Sequence, residues 1–323
     1  MQKRISIALA TFNGEKYIRE QLCSFIEQTQ QPDELIICDD CSTDSTVDIV
    51  RKFADIAQFE IKIFVNKIKI GYAQNFSKAL QYCTGDIIFL SDQDDVWLSN
   101  KIKRVVSFFA DDPEIQLLIH DLEYCRGDLT PIGQTKIERM HKVFDLERCY
   151  VVGMATAIRR PFLQLCLPIP SECNVAHDFW LHCCAGAIGK KRIICEVLSK
   201  YRRHSSNVTT TGSLNVDFIT TSRYFHSERV KHKTALHIGQ ISQFYGWLQA
   251  NRTALIERNF TSPEHIDRVI KEEGQRRESA ASRAEILAIR RLMRFWPVLS
   301  LFSRGGYRFF SGWKSAMKDL FLN

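Results

Sequence analysis

Nowhere does the 323-residue chain approach the ~18 uncharged apolar residues that a membrane-crossing helix needs, so no spanning segment is expected. Met1 to Ala10 is too short, and too quickly strand-like, for the apolar stretch and small-residue cleavage site of a secretory leader, so none is expected. No G-x-G-x-x-G follows the first strand-like segment, which argues against a dinucleotide-dependent dehydrogenase. Cys38-Asp39-Asp40-Cys41 is formally C-x-x-C, but no second ligand pair at zinc spacing accompanies it. Neither zinc nor redox chemistry is expected there. No internal repeat is visible, and no Ser-His-Asp or Cys-His set stands out for covalent catalysis.

What is present is ordinary globular composition: 45% hydrophobic and 25% charged residues, enough for one large α/β domain with an extension, or for two domains. The 11 cysteines are odd in number and scattered, which reads as reduced thiols and a cytoplasmic setting. Triplets such as Asn207-Val208-Thr209 then carry no glycan. Net charge is +7, and much of the excess lies beyond Arg229.

Strand-like runs alternate with helical ones. Ile5 to Leu9, Glu34 to Cys38, Ile61 to Val65 and Asp86 to Leu90 read as strands. Glu15 to Gln28 has Tyr17, Ile18, Leu22, Phe25 and Ile26 at helical spacing. A second helix follows the cap-rich Ser42-Thr43-Asp44-Ser45, and a third covers Asn75 to Cys83. The alternation predicts a mostly parallel sheet with helices on both faces. From about Asp145 the pattern loosens. Val151 to Ile158 is small and apolar, Ala176-His177-Asp178 opens a helix to about Ala187, and Ile193 to Leu198 is a strand before Tyr201-Arg202-Arg203-His204. Beyond Thr210 the chain reads as mainly helical.

Ligands of open α/β sheets sit at the carboxyl ends of the strands. Three polar clusters fall there: Thr11-Phe12-Asn13, Asp39-Asp40 and Asp92-Gln93-Asp94-Asp95. Bare carboxylates repel phosphate, so such a crevice suggests a cation together with a polyphosphate. Mg²⁺ or Mn²⁺ on a nucleoside diphosphate needs only one or two protein carboxylates, which Asp92 to Asp95 can supply; a solvated acidic turn is the plainer alternative. Asp39 and Asp40 can accept hydrogen bonds from a pyrimidine N–H or a ribose hydroxyl, or can simply cap the next helix. Asp178, near a helix start, is favoured as the anion that a general base must be, or is merely a cap. His204 can complete a metal site or meet a leaving diphosphate, and Arg202 and Arg203 can serve the diphosphate electrostatically. A structural histidine is the alternative.

In this order the segments Ala10-Thr11-Phe12-Asn13-Gly14-Glu15, Ile36 to Thr46, Gly85 to Trp97, His177-Asp178 and Tyr201 to His204 resemble the family-2 glycosyltransferases of the GT-A fold, over about residues 4 to 210. The resemblance implies a Rossmann-like catalytic domain in 1–210, with 1–110 as its nucleotide-binding half and 111–210 as its acceptor-binding half, and a helical extension in 211–323. It implies that Thr11, Phe12, Glu15 and Asp39 or Asp40 hold the nucleoside, and that Asp92 and Asp94 form the D-x-D pair. Asp92 lies towards the ribose or sugar and Asp94 on a divalent metal, Mn²⁺ or Mg²⁺. It implies Asp178 as catalytic base and His204 at the metal or diphosphate. Two positions depart from the family pattern: His177 where many members carry Glu, and Cys41 where Gly is frequent. The implied reaction is a single inverting displacement from a nucleoside-diphosphate sugar. Ser91 to Trp97 is similar to bacterial surface-polysaccharide enzymes, often rhamnosyltransferases, so the expected donor is dTDP-rhamnose or a UDP-hexose. The expected acceptor is a growing glycan linked to a polyprenyl diphosphate. A non-catalytic nucleotide-sugar-binding subunit is the alternative, disfavoured by intact Asp92, Asp94 and Asp178.

The last segment, 290–323, mixes Phe295, Trp296, Leu299, Phe302 and Trp313 with Arg304, Arg308, Lys314 and Lys318. It reads as a membrane-surface contact at the cytoplasmic face, or as a helix packed on the domain. No nucleic-acid motif accompanies the charge.

Overall fold

The computed structural model describes residues 3–141, 150–172, 175–204 and 228–321. The expected boundary near residue 210 and the Asn207 triplet lie outside them. Contacts divide the chain into two compact units. One holds the described residues up to 204 apart from Glu172; the other holds Glu172 and those from 228 onward.

The first unit is built on a nine-stranded sheet. Its strands are β1 (Ile5–Thr11), β2 (Glu34–Asp39), β3 (Glu60–Val65), β4 (Ile87–Ser91), β5 (Val96–Trp97), β6 (Leu117–Cys125), β7 (Pro131–Thr135), β8 (Thr156–Arg159) and β9 (Lys191–Arg202). The order is β3-β2-β1-β4-β8-β6-β9-β5, with β7 on β6. Strands β1 to β4, β6 and β9 run one way, and β5, β7 and β8 run the other, so the sheet is mostly parallel as expected.

Successive side chains of a strand point to opposite faces. In β1, every residue from Ile5 to Leu9 is buried, so both faces of the sheet centre are covered. The continuous apolar runs of β1, β2 and β4 are the sequence signature of such strands. The covering helices of this half are α1 (Ile18–Ile26), α2 (Thr46–Ala54), α3 (Tyr72–Tyr82) and α4 (Lys101–Asp111). Helix α1 buries Ile18, Leu22 and Phe25 at i, i+4, i+7, the stripe that a 3.6-residue period places on one face. Phe25 meets Trp97 edge-on at 4.8 Å in the main core with Ile7, Leu9, Ile37 and Phe89. Each such side chain contributes roughly 1.5–3 kcal/mol by leaving water. An Asp at Leu9 would strand a carboxylate in that layer.

Parallel pairing sets the crevice. Thr11 lies opposite Asp39, and Leu9 opposite Ser91, so the ends of β1, β2 and β4 finish side by side. Helix α1 starts at Ile18 rather than Glu15, because the Glu15 amide donates to Asp44 Oδ2 (3.1 Å) and the Gly14 carbonyl caps Tyr17 and Ile18 (both 3.0 Å). Between Trp97 and Asp145 the sequence suggested no element, yet α4 and β6 lie there. The rest of the unit adds α5 (Lys136–His141), α6 (Arg160–Cys166) and α7 (His177–Ala187). Strand β9 runs past Leu198 to Arg202, because Lys200 and Tyr201 pair with Val96 and Tyr124.

The second unit is helical among the described residues, as expected. Helices α8 (Glu228–Glu257) and α9 (Pro263–Ala288) are joined through Asn259, at φ 57°, and Ser262, whose side chain accepts from the His265 amide at 3.2 Å. Helices α10 (Phe295–Ser303) and α11 (Trp313–Phe321) follow. A small core of Ile286, Val298, Leu301 and Tyr307 surrounds buried Asp319, which accepts two hydrogen bonds from Arg283 (2.7 and 2.9 Å) and one from Tyr307 (2.9 Å).

Candidate active site

The loop Asp92 to Asp95 leaves β4 and turns at once into β5, a two-residue strand held by β9. Gln93, between the two aspartates, clamps the loop to the end of β1. Its amide donates to the Phe12 carbonyl (3.0 Å) and accepts from the Phe12 amide (2.9 Å). Gly14 leaves room beside it, since a Cβ there would displace the Gln93 side-chain amide.

Strand β9 brings Arg202 and His204 to the same loop. His204 Nε2 lies 2.8 Å from Asp94 Oδ2, and its ring packs on Tyr17 at 4.6 Å. Arg202 faces inward and is almost wholly buried. It donates to the Asp94 carbonyl (2.8 Å), to the Gly127 carbonyl (2.6 Å) and to Glu20, and its guanidinium covers the Tyr17 ring at 4.6 Å. Its amide donates to Asp95 Oδ1 (3.0 Å). Arg203 lies beside the Tyr201 ring at 5.8 Å.

Asp95 is fully buried, and its Oδ2 accepts no hydrogen bond from the protein. Behind it sits Lys101, also fully buried at the start of α4. It donates to the Met154 carbonyl (2.7 Å) and Ser199 (3.1 Å) over the Trp97 ring. Burial, then the like charges of Asp94 and Asp178, pushes the Asp92 carboxyl up to about 8, while Lys101 pulls it down. Burial raises Asp95 well above, and lowers Lys101 well below, the ordinary values. Asp92 and Asp95 therefore favour the neutral acid, and a cation beside the loop would draw out their charge.

Asp178 belongs to the first turn of α7 and accepts from the Phe179 amide at 2.8 Å. It is close enough to Asp92 for its charge to raise that carboxyl. His177 is buried, stacked on Phe76 (3.8 Å between ring centroids), with neither ring nitrogen hydrogen-bonded. Gly153 makes room for it: a Cβ there would stand 2.7 Å from Nε2.

The nucleoside-side candidates are mostly engaged with one another. Asp39 accepts from Thr11 (2.7 Å) and from the Ser42 amide and hydroxyl (2.8 and 2.6 Å). Asp40 accepts from Asn66 (3.0 Å) and from the amides of Ile70 and Gly71 (both 2.8 Å), so it shapes the loop before α3. From that loop Lys69 reaches over the Phe12 ring at 3.5 Å. Glu15 is exposed and accepts from the Ser45 amide (2.9 Å), beside the positive end of α2.

The structure thus gathers Asp92, Asp94, Arg202 and His204 at one loop, with Asp178 close by, and strings Thr11, Phe12, Glu15, Asp39 and Asp40 along the neighbouring strand ends. Gln93, Lys101, Tyr17 and Lys69 were not anticipated. Gln93 could have been suspected from its place between two aspartates; Lys101 reads in the sequence like any surface lysine. Among the described residues no group of three or more His, Cys, Asp or Glu is arranged to hold a metal. The donors nevertheless suit a hard divalent cation: the Asp92 and Asp94 carboxyl groups and one imidazole, with phosphate and water left to fill the shell.

Residues 6–164 match the profile described as Glycosyl transferase family 2, and this segment of the chain belongs to that family. The first unit has the GT-A fold. Over 103 residues the chain is 35% identical to the UDP-Glc:alpha-D-GlcNAc-diphosphoundecaprenol beta-1,3-glucosyltransferase WfgD of Escherichia coli, covering 32% of this chain and 40% of that one. Over 102 residues it is 39% identical to the dTDP-rhamnosyl transferase RfbG of Shigella flexneri, covering 30% and 35%. The alignments thus span about two fifths or less of those relatives. Among solved structures, S. aureus TarS in complex with UDP superposes with a TM-score of 0.60 at 15% identity, covering 98% of this chain and 89% of the other. The mannosyltransferase PcManGT from Pyrobaculum calidifontis, crystallised with GDP-Man and Mn²⁺, superposes at 0.50 and 17% identity, covering 99% and 88%.

Proposed function

We propose that the chain is an inverting, metal-dependent glycosyltransferase that moves a sugar from a nucleoside diphosphate to a hydroxyl of a growing bacterial surface glycan. The observation that carries this reading is the Asp94–His204 pair at 2.8 Å on the β4-end loop, with Asp92 beside it and Asp178 within electrostatic reach.

Asp94, Asp92 and His204 would hold Mn²⁺ or Mg²⁺, which supplies positive charge against the diphosphate as it leaves. Thr11, Phe12, Glu15, Asp39 and Asp40 form the nucleoside wall. Asp39 and Asp40 keep their loops in shape and offer their remaining lone pairs to ribose or base. Arg203 adds charge for the diphosphate, and Arg202 acts through the loop it grips. Asp178 takes the proton from the acceptor hydroxyl, whose oxygen attacks the anomeric carbon opposite the leaving group, so one displacement inverts the configuration. Residues 1–210 form the catalytic domain, with the nucleotide side in 1–110 and the acceptor side in 111–210; 211–323 is the extension.

The names of the relatives favour a dTDP-rhamnose or UDP-hexose donor and an acceptor linked to a polyprenyl diphosphate. Such an acceptor puts the chain at the cytoplasmic face of a membrane, with 290–323 as the contact. Thermal melting with Mn²⁺ and a panel of nucleoside diphosphates tests the site. A metal-dependent rise with one pyrimidine diphosphate, lost in Asp94→Ala, is expected, because a ligand of the native state stabilises it by mass action. No shift from a folded sample would sink the reading.

A further inference from the structure

Helix α10 is apolar on both of its faces. Val298 and Leu301 point into the small core of the second unit, where Ile286 and Tyr307 receive them. Phe295, Leu299 and Phe302, at i, i+4, i+7, form a second stripe that faces out, with Trp296 beside it at 73% exposure. A helix that is hydrophobic all round belongs in a core or against an apolar partner. Leu292 precedes it at 97% exposure and Trp313 follows on α11 at 63%. Of the sixteen large hydrophobic side chains that the described residues expose, ten lie from Ile289 onward. Apolar surface concentrated to this degree marks an interaction site.

The charge of the same segment selects the partner. From Ile289 to Asn323 there are seven arginines and lysines and a single acid, Asp319. Asp319 is fully buried against Arg283, and Arg294 is buried on the carbonyls of Leu287 and Asp319. What remains outside is cationic and aromatic. Among the described residues no helix is long and apolar enough to cross a membrane.

We propose that this face is a membrane-surface anchor. Phe295, Trp296, Leu299 and Phe302 enter the headgroup–acyl boundary of an anionic bilayer, and Arg290, Arg291, Arg304 and Arg308 lie on its phosphates. Buried Asp319, with Arg283, Arg294 and Tyr307, holds α10 and α11 in the arrangement that presents the face. This deepens the proposed function by naming the partner that a lipid-linked acceptor requires, but it rests on the chemistry of the segment and not on catalysis.

Flotation of the full chain with vesicles tests it. The wild type should float with phosphatidylcholine vesicles containing phosphatidylglycerol, weakly with phosphatidylcholine alone, and less as salt rises. Trp296→Glu with Leu299→Glu should stay at the bottom with an unchanged melting temperature, since both side chains are exposed. Arg290→Glu with Arg291→Glu should lower the partition coefficient by roughly fivefold or more for each arginine. Asp94→Ala, inactive on the proposed mechanism, should float like the wild type, which separates a failure of anchoring from a failure of the catalytic reading. Wild type that stays unbound overturns the anchor. So does flotation that the arginines alone control, which would mark a general polyanion site, or a dimer in solution that Trp296→Glu dissolves.

Discussion

At the residue scale, the proposed mechanism narrows to Asp178. Asp178→Asn keeps the size of the side chain and its acceptor for the Phe179 amide but cannot take a proton. A positioned base contributes about 10²- to 10⁴-fold, so kcat should fall by that much. The thermal shift with Mn²⁺ and nucleotide should survive, because nucleotide binding does not use the base. Turnover within a few-fold of wild type would remove Asp178 from the mechanism. Cys41 shows how far single residues are legible. Its place where Gly is frequent is visible in the sequence, and the structure gives the reason: φ is 66°, in the region that favours glycine. The Cys41 thiol donates to the Asn66 carbonyl at 3.1 Å, a local compensation that no pattern reveals. Cys41→Gly should therefore change stability by no more than ~1 kcal/mol, while Cys41→Val, β-branched at positive φ, should cost about 1–2 kcal/mol in urea unfolding. Equal stability for the two variants would contradict the strain argument.

At the scale of elements, one buried carboxylate ties the start of the sheet together. Glu34, first residue of β2, accepts from Ser6 on β1 (2.5 Å) and from the amide and hydroxyl of Thr84 before β4 (2.6 and 2.9 Å). Arg4 and Lys62 flank it at 3.4 and 3.5 Å. Burial alone would raise its pKa, but the hydrogen bonds from Ser6 and Thr84, with the charge of Arg4, hold it at about 2 against an ordinary 4.5. A carboxyl depressed in the folded state stabilises fully above its unfolded pKa, and that contribution is lost as pH falls through the folded one. The difference corresponds to roughly 3 kcal/mol, present at neutral pH and lost between about 4.5 and 2. Glu34→Gln should be less stable at pH 7 by a similar amount, and the gap to wild type should close as pH falls through that window. A gap independent of pH would mean that packing, and not charge, is what Glu34 supplies. The strands it joins were legible because fully buried parallel strands are continuous apolar runs. Strand β6 begins as such a run, Leu117 to Ile119, but His120, Asp121 and Glu123 interrupt it, and Asp121 is tolerated because it accepts from the amides of Leu122 (2.8 Å) and Ile137 (3.0 Å). Strand β9 was legible only to Leu198, since its polar end is a strand through its pairing with β5 and β6.

At the scale of the whole molecule, the strand-end clusters announced where the crevice lies, because the carboxyl ends of parallel strands converge whatever the side chains. What stayed hidden was how the acidic loop is held. Gln93, Lys101, Tyr17 and inward-facing Arg202 act on partners 53 or more positions away in sequence, a spacing with no local signature. All nine strands and every candidate residue precede residue 205, within one compact unit, whereas the apolar cationic face belongs to the other. About two hundred residues suffice for an independent core. A chain ending at Asn207 should therefore fold, give the Mn²⁺-dependent thermal shift with the same nucleoside diphosphate as the full chain, and no longer float with anionic vesicles. Loss of the shift in a folded truncated chain would mean that the helical unit completes the nucleotide site. Flotation that persists would move the anchor into the first unit. Retained nucleotide binding with lost flotation would assign donor binding and membrane contact to separate units, each open to change without the other.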